Sequence, residues 1–175
     1  MGFALRLWYD YGHLAGMEIN VLIDEGFEGC LEVSWLQSVA ERVLIAHGTS
    51  SNAELGLVIA SQERVQQLNR SYLGKDETTD VLAFSMLPAG ETGGDLPPFV
   101  TPPDGMMHLG EVIISYPQAV IQAKERQHSI RKEIAILIIH GVLHLLGYKD
   151  DNPELKRQMA DRETEILTYI GGELE

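Results

Sequence analysis

The sequence predicts one domain that combines about four β-strands with about five α-helices, one of them a buried central helix. Short apolar runs typical of strands alternate with longer segments whose apolar residues recur at helical spacing. The most apolar segment lies within residues 130–151 and indicates a helix that is buried on nearly all sides. The chain has 175 residues, of which 45% are hydrophobic and 22% are charged, so one domain can bury a core of ordinary size.

The first half of the chain predicts two strands, each followed by a helix. Residues 1–16 show no periodicity, so they are interpreted as an N-terminal extension of a domain that spans residues 17–175. Serine residues are expected to cap the helices because a hydroxyl accepts a hydrogen bond from the first helical turn. In order, the predicted elements are a strand over 17–23, a helix capped by Ser34 and ending near His47, a strand over 54–60 and a helix capped by Ser61.

The second half predicts two more strands, a long surface loop and three helices. Residues 86–107 hold five of the seven prolines in the chain, together with several glycines, which indicates a loop without packed structure. In order, the predicted elements are a strand over 81–85, the Gly/Pro-rich loop over 86–107, a strand over 108–115, a helix opening at Tyr116 and Pro117, the apolar helix, and a final helix from Pro153 through Ile170.

Two histidines are the only polar side chains in the central part of the apolar helix. His140 and His144 are one helical turn apart, so their rings lie on one face and their nitrogens can converge on one point. Gly147 is expected to end the helix in a left-handed conformation and to turn the chain back toward the histidines. This turn makes Asp150 the predicted third metal ligand, with Asp151 as the alternative. Two histidines and one carboxylate form a known catalytic zinc set.

A simpler interpretation is that both histidines are hydrogen-bonded core residues. Each ring would then need a buried partner, and the flanking residues are only leucine, isoleucine and valine. A metal ion satisfies both rings at once. We therefore predict one Zn²⁺ per chain, although another divalent metal would also suit these ligands. The single cysteine, Cys30, excludes an internal disulfide and a cysteine-based metal site.

The net charge of −13 argues against broad, non-specific binding of nucleic acids, because the field of the whole molecule repels polyanions. Any such binding would depend on a local basic patch. Residues 124–132 offer one, and its members are Lys124, Arg126, His128, Arg131 and Lys132. The sequence leaves two interpretations open, a solvated junction between helices or a surface that faces phosphates.

The sequence contains no signal for export or membrane insertion. The N-terminus lacks the basic start and apolar core of a signal peptide, and no apolar run is long enough to span a bilayer. We therefore expect a cytoplasmic protein without a membrane partner.

Three motifs resemble those of the YbeY family of bacterial metal-dependent endoribonucleases, which act in ribosomal RNA maturation. Residues 140–148, H-G-V-L-H-L-L-G-Y, are similar to the family's H-G-x-L-H-L-x-G-Y-D-H. Residues 68–84 resemble L-N-x-x-Y-R-x-K-D-x-P-T-D-V-L-S-F, and residues 109–115 resemble L-G-D-I-x-I-S. The resemblance covers the chain from about residue 17 onward. It implies an α+β fold with a small mixed sheet, a zinc ion held by three histidines, and a cleft that takes RNA.

The resemblance also implies a function and roles for named residues. The implied activity is single-strand-specific RNA cleavage in ribosomal RNA maturation, at the 3′ end of 16S rRNA, and in ribosome quality control. The implied partners are ribosomal RNA and components of the small ribosomal subunit, not DNA. Lys75 and Arg70 are expected to neutralise phosphate, and Glu111 or Asp80 to move protons or orient the metal ligands, although a role in capping the loop before residue 81 is equally open.

Two residues depart from the family pattern. Asp150 replaces the third histidine, and Leu73 replaces an arginine that follows the motif tyrosine. A carboxylate cancels one positive charge at the metal and so weakens its attraction for phosphate, and loss of the arginine removes another cation. Both departures argue against RNA cleavage more than against metal binding.

Two alternative functions follow from these observations. The acidic charge and the two departures favour a non-catalytic, metal-containing ribosome-assembly factor. The spacing of His140, His144 and Gly147 also resembles that of zinc metalloproteases with the motif H-E-x-x-H-x-x-G-x-x-H. Gly141 stands where those enzymes place their catalytic glutamate, which makes the protease interpretation the weaker of the two.

Overall fold

The computed structural model describes residues 16–49, 52–87 and 105–174 of the chain. Within these ranges there are four strands, five α-helices and one turn of 3-10 helix at Gly171–Glu173. The strands are β1 (Glu18–Ile23), β2 (Ala53–Ala60), β3 (Val81–Ser85) and β4 (Met107–Ser115). The helices are α1 (Val33–His47), α2 (Gln62–Leu73), α3 (Tyr116–Glu125), α4 (Ile130–Leu145) and α5 (Pro153–Ile170). The predicted N-terminal extension, except Gly16, and most of the predicted loop over 86–107 lie outside the described residues.

The four strands form one mixed sheet in the order β1-β2-β4-β3. Strands β1, β2 and β4 are parallel, and β3 pairs with β4 in the antiparallel direction at one edge. Strand β2 is buried along most of its length, as expected for a strand in the middle of a sheet. The structure therefore confirms the α+β class and the small mixed sheet.

The two faces of the sheet carry cores of different size. Because side chains alternate along a strand, Val112 and Ile114 of β4 join the larger core, whereas Ile113 joins the smaller one. The larger core contains buried residues of α1, α4 and α5, and the smaller core contains Val65 of α2. Helices α4 and α2 therefore lie on opposite faces of the sheet.

Helix α4 is the central helix of the larger core, as predicted. Ten of its residues between Glu133 and Leu145 are buried, and it contacts β3, β4 and the helices α1, α3 and α5. The hydroxyl of Ser129 caps its first turn by accepting a hydrogen bond from the Lys132 amide. At its other end, Gly147 has a φ of 97°, which confirms the predicted left-handed turn.

The other predicted element boundaries are close to the observed ones, with one correction. The Ser61 hydroxyl accepts a hydrogen bond from the Arg64 amide and so caps α2 as predicted. Ser34 does not cap α1, because that helix begins at Val33 and the capping position belongs to Glu32, which makes no side-chain capping bond. None of the helices in the described ranges combines the length and the apolar character that crossing a membrane requires.

Candidate metal centre

Helix α4 brings the Nε2 atoms of His140 and His144 to within 3.1 Å of each other. The two rings have centroids 4.6 Å apart and planes at 79°, so they meet edge to face. This is the convergence that one-turn spacing predicts for two side chains on the same helical face. The structure thus places one nitrogen of each ring at a single point.

The opposite nitrogen of each ring has a hydrogen-bond acceptor. His140 Nδ1 lies 2.5 Å from Glu163 Oε1 of α5, and His144 Nδ1 lies 3.1 Å from the carbonyl oxygen of Tyr148. An ionised carboxylate and a backbone carbonyl only accept hydrogen bonds, so both Nδ1 atoms donate. The neutral rings therefore carry their lone pairs on Nε2, where a metal would bind. The sequence-based argument that the histidines lack other partners was wrong in this respect.

The two rings are less buried than predicted. The side chains of His140 and His144 are 33% and 29% exposed, although the backbone of their helix lies in the core. Their face of α4 is therefore open to solvent on one side. This opening gives a metal ion and a further ligand access to the Nε2 atoms.

The turn after α4 brings a carboxylate to the histidines, as predicted. Asp150 Oδ2 lies 3.8 Å from His144 Nε2. The ligand atoms of His140, His144 and Asp150 all lie within 4.8 Å of one another, and in the described residues they form the only such group of three that could hold a metal. Asp151, the alternative ligand, is not part of this group.

The electrostatic environment of His140 favours a cation. Its hydrogen bond to Glu163 raises the pKa of His140 above the ordinary value of 6.5, against the opposing effect of burial. The negative charges of Glu163, Asp80 and Asp150 raise the pKa further. Three carboxylates thus act on one imidazole, and a bound dication would neutralise part of this charge.

The donor set fits a zinc ion. Two zinc-bound imidazole nitrogens in tetrahedral geometry would be about 3.3 Å apart, because each Zn–N bond is about 2.0–2.1 Å long. The observed separation of 3.1 Å between the two Nε2 atoms is close to this value. The acceptors at both Nδ1 atoms also resemble the partners that usually orient metal-bound histidines.

Asp80 lies near this centre, but its carboxylate also has structural partners. Its Oδ1 accepts a hydrogen bond from the Val81 amide at 2.8 Å, and its Oδ2 accepts one from Gln122 Nε2 at 3.1 Å. These bonds hold the start of β3 to α3, as expected for a loop cap. The capping role is therefore confirmed, and the negative charge of Asp80 also raises the pKa of His140.

The structure does not bring Glu111 to the histidines. Glu111 pairs with Phe84 across β3 and β4 and lies on the same face as Ile113, because it precedes that residue by two positions. Its neighbour Val112 points the other way, toward Gly141 of α4. Glu111 is therefore on the α2 face of the sheet.

Arg70 lies in the last turn of α2, and Lys75 lies in the loop directly after it. Arg70 forms an exposed ion pair with Asp76 at 3.8 Å. Lys75 is exposed. The ion partner of Arg70 is therefore Asp76 rather than a group at the metal centre.

Three of the five members of the predicted basic patch are paired with carboxylates. Arg126 Nη1 lies 2.8 Å from Oε1 of Glu133, which is fully buried, and the same carboxylate holds His128 through its other oxygen. Arg131 pairs with Glu32 at 2.5 Å, and its guanidinium lies over the Trp35 ring at 5.1 Å. The remaining members, Lys124 and Lys132, are exposed.

Sequence reasoning missed the two groups that orient the histidines, Glu163 and the Tyr148 carbonyl. A signal for the first existed. Glu163 follows Met159 by four residues and precedes Ile166 by three, so it occupies the buried stripe of α5. A carboxylate in an apolar stripe indicates a buried partner. The carbonyl carries no such signal, because its direction depends on the turn at Gly147.

Comparisons with known proteins find relatives over most of the chain. A family model described as Endoribonuclease YbeY matches residues 31–171. A protein named Endoribonuclease YbeY from Dehalococcoides mccartyi is 51% identical over 157 residues, which cover 88% of this chain and 90% of the relative. One of the same name from Chloroflexus aurantiacus is 38% identical over 154 residues, or 87% of this chain and 95% of the relative.

A solved structure shares the fold. The solution structure of TM1509 from Thermotoga maritima matches with a TM-score of 0.52. The match covers 89% of this chain and 94% of that chain, at 21% sequence identity. At this identity the likeness concerns the arrangement of helices and strands alone.

Proposed function

The chain belongs to the endoribonuclease YbeY family, and from this membership we propose that it is a metal-dependent endoribonuclease that cleaves single-stranded RNA. The proposed process is maturation of ribosomal RNA in the cytoplasm, at the 3′ end of 16S rRNA, together with ribosome quality control. The proposed partners are ribosomal RNA and small-subunit components. Family membership supports the reaction class, and the geometry of the histidines supports the dependence on metal.

One observation carries the proposal, namely that the two Nε2 atoms of His140 and His144 face each other at 3.1 Å while both Nδ1 atoms donate hydrogen bonds elsewhere. In neutral rings this places two lone pairs against each other, which is unfavourable without a cation between them. A proton can be shared there, but a metal ion can also bind the nearby Asp150 carboxylate. The arrangement is therefore best satisfied by a divalent metal.

His140, His144 and Asp150 would hold the ion, and Glu163 and the Tyr148 carbonyl would keep the rings oriented. A zinc ion bound by three protein ligands supplies Lewis acidity and lowers the pKa of water to about 7, which provides a nucleophile at neutral pH. The partial exposure of both rings leaves room for a phosphodiester to approach.

Arg70 and Lys75 have a different place in this proposal than in the sequence-based prediction. Since both are exposed at the end of α2 and Arg70 pairs with Asp76, they would contact RNA phosphates beside the bond that is cut. Such contacts bind and orient the strand without acting on the reacting atoms. Asp80, which lies near His140, is the better supported of the predicted acids near the metal.

A second candidate function is a metal-containing assembly factor without catalytic activity. It is favoured by the three carboxylates whose charges act on His140, because they lower the positive charge available to attract phosphate. Leu73 adds to this, since it is an exposed apolar residue where an arginine would provide a cation. Under this alternative the metal would stabilise the turn between α4 and α5.

Metal analysis and a cleavage assay on the full chain test the proposal. We expect about one zinc-like ion per chain, and cleavage of a ribosomal RNA precursor that stops when a chelator is added. A single-stranded RNA should be cut and the same strand in a duplex should not. Retained metal, with binding of the precursor but no cleavage, would replace the nuclease by the assembly factor.

A further inference from the structure

We propose that Glu163 is a positioning residue for the metal centre, which holds His140 with Nε2 toward the metal and thereby couples metal binding to the docking of α5 on α4. The inference rests on the proposed metal centre but not on RNA cleavage. The Glu163 carboxylate makes no contact with the proposed ligand atoms at Nε2 and acts through the opposite side of the ring.

Glu163 is a carboxylate on the face of α5 that otherwise carries buried apolar residues. It lies along the stripe that packs on the larger core, between Met159 and Ile166, which are 2% and 1% exposed, while its own side chain is 27% exposed. Placing a carboxylate in such a stripe costs free energy unless it has a partner. The partner is His140 Nδ1 at 2.5 Å, and this bond connects α5 to the middle of α4.

The bond determines which nitrogen of His140 is available to a metal. A neutral imidazole carries one proton, and a carboxylate that accepts it at Nδ1 leaves the lone pair on Nε2. The same bond restricts rotation of the ring. Without Glu163 both tautomers would be populated and the ring could turn away from His144, which lowers the affinity for the ion.

The two histidines differ in how they are held. His144 donates to the carbonyl of Tyr148, which belongs to the backbone of the turn after α4. His140 instead donates to a side chain from a different helix, 23 residues further along the chain. A substitution of Glu163 can therefore disturb the orientation of His140 while all three proposed ligand residues are still present.

This arrangement also links the metal to the packing of α5. The same segment that supplies Asp150 continues into α5, whose first turn is capped by Asn152 through a 2.9 Å hydrogen bond to the Leu155 amide. A metal that fixes His140 and Asp150 thus restrains α5 at its start and at Glu163. Metal binding and the docking of α5 are therefore linked. The factor by which docking raises the metal affinity equals the factor by which bound metal favours docking, so a change that weakens docking also lowers the metal affinity.

The test compares Glu163→Gln and Glu163→Leu with Glu165→Gln in the full chain. Glu165 is a suitable control because it lies in the same helix, its side chain is 65% exposed, and it pairs with Arg162, a contact of little energetic weight. Zinc affinity is measured by competition with a chromophoric chelator.

We expect Glu163→Gln and Glu163→Leu to weaken zinc binding by about 10- to 100-fold and Glu165→Gln to change it by less than about twofold.

Two further measurements separate positioning from simple stabilisation. In the metal-free protein, nitrogen NMR of His140 should show one tautomer in the wild type and a mixture in both Glu163 variants. Leucine suits an apolar stripe, so at alkaline pH, where the His140 ring is neutral and no ion pair is lost, Glu163→Leu should keep or raise the thermal midpoint measured in chelator while it loses zinc affinity. A structural role alone predicts the reverse, a lower midpoint with unchanged affinity.

The outcomes distinguish this inference from the proposed function. Wild-type zinc affinity in both Glu163 variants, or an unchanged His140 tautomer, would overturn the role of Glu163 and leave the metal centre intact. If the wild-type protein binds no zinc, the proposed metal centre fails and this inference fails with it. Glu163→Gln is nearly isosteric, so it keeps the test valid if the leucine variant does not fold.

Discussion

Gly141 lies so close to Val112 that a Cβ atom built on Gly141 would be 2.5 Å from Val112 Cγ1. Helix α4 therefore approaches β4 at the residue that follows His140, and the contact leaves no room for a side chain. Metalloproteases with a related helix motif carry their catalytic glutamate at this position. A glutamate here would require Val112 or the backbone of α4 to shift, so the close contact argues against the protease interpretation and favours glycine at this position.

The first prediction is that Gly141→Ala destabilises the fold. Alanine is intrinsically the better helix former by about 1 kcal/mol, but overpacking a tight core contact costs about 1–3 kcal/mol. We expect the second effect to dominate, because backbone and Val112 would have to shift. The thermal midpoint should fall by several degrees.

Gly172→Ala is the matched control for this variant. A Cβ at Gly172 would meet no atom within 4 Å, so the midpoint should stay nearly unchanged. A Gly141→Ala protein as stable as the wild type would mean that the contact between α4 and β4 is loose.

Local patterns in the sequence were sufficient to predict the elements around the site. The order of strands and helices, the one-turn spacing of His140 and His144, and the left-handed turn at Gly147 depend on nearby residues, and the structure confirms them. The histidine pair was found because two polar residues in an apolar helix are costly. Glu163 could have been found in the same way, since it interrupts the apolar stripe of α5.

Contacts between distant elements were not predictable from the sequence. Glu111 and Val112 are adjacent in sequence but face opposite sides of the sheet, so a motif residue need not lie at the metal centre. The partners of Arg126 and Arg131 depend on how α1, α3 and α4 meet, which no local pattern reveals. The missing cap at Ser34 reflects a boundary shift of two residues, a common limit of such predictions.

The second prediction concerns the metal ligands. Replacing His144 with alanine should abolish stoichiometric metal, because the two remaining donors, His140 and Asp150, bind zinc more weakly than three donors do. Asp150→Asn should weaken binding strongly, whereas Asp151→Asn should retain about one ion per chain, since Asp151 lies outside the group of converging ligands. Elemental analysis of the purified variants gives the stoichiometry.

The control for this series is His108→Gln, because His108 is in β4, pairs with Glu54, and lies outside the group of converging ligands. It should keep its metal. Full metal content in His144→Ala would rule out the site as described, and loss of metal in Asp151→Asn would identify that residue as the third ligand.

The third prediction is that Asp150→His, which restores the family residue, raises the rate of RNA cleavage. Removing a carboxylate leaves the metal with one more net positive charge, which lowers the pKa of its water and attracts phosphate more strongly. Cleavage is compared at equal metal content, with Asp151→His as the control for added histidine. An unchanged rate in fully metallated protein would show that the two ligand sets are equivalent.

The fourth prediction is a pH dependence of metal affinity. Because the hydrogen bond to Glu163 raises the pKa of His140, protons compete with the metal at a higher pH than for an ordinary histidine. Zinc affinity should therefore fall as the pH decreases through this raised pKa, and the fall should begin at a pH above 6.5. In the metal-free protein the sign is opposite, since protonated His140 stabilises the fold at low pH and this contribution is lost as the pH rises through the raised pKa. Affinity that is constant from about pH 8 to pH 6 would contradict the assignment of His140 as a ligand.

The last prediction concerns RNA binding by an acidic protein. With a net charge of −13 the overall field repels RNA, so we expect binding to be local, salt-sensitive and dependent on exposed cations. In the described part of the chain Lys132 forms no ion pair, whereas Arg131 is paired with Glu32 and lies over Trp35. Lys132→Gln should therefore weaken binding more than Arg131→Gln, and the double variant should bind least.

The salt dependence of affinity, measured on several RNA sequences, distinguishes the possible results. Loss of one phosphate contact should reduce the slope of log affinity against log salt by about 0.7–0.9 and should affect all sequences alike, because phosphate contacts carry little sequence information. Equal effects of Lys132→Gln and Arg131→Gln would mean that RNA displaces Glu32 from its ion pair. If binding to ribosomal particles is insensitive to salt from the outset, the partner surface is protein rather than RNA. The assembly-factor function would then be the better account of this chain, since an acidic surface is compatible with a basic ribosomal protein but not with a phosphate backbone.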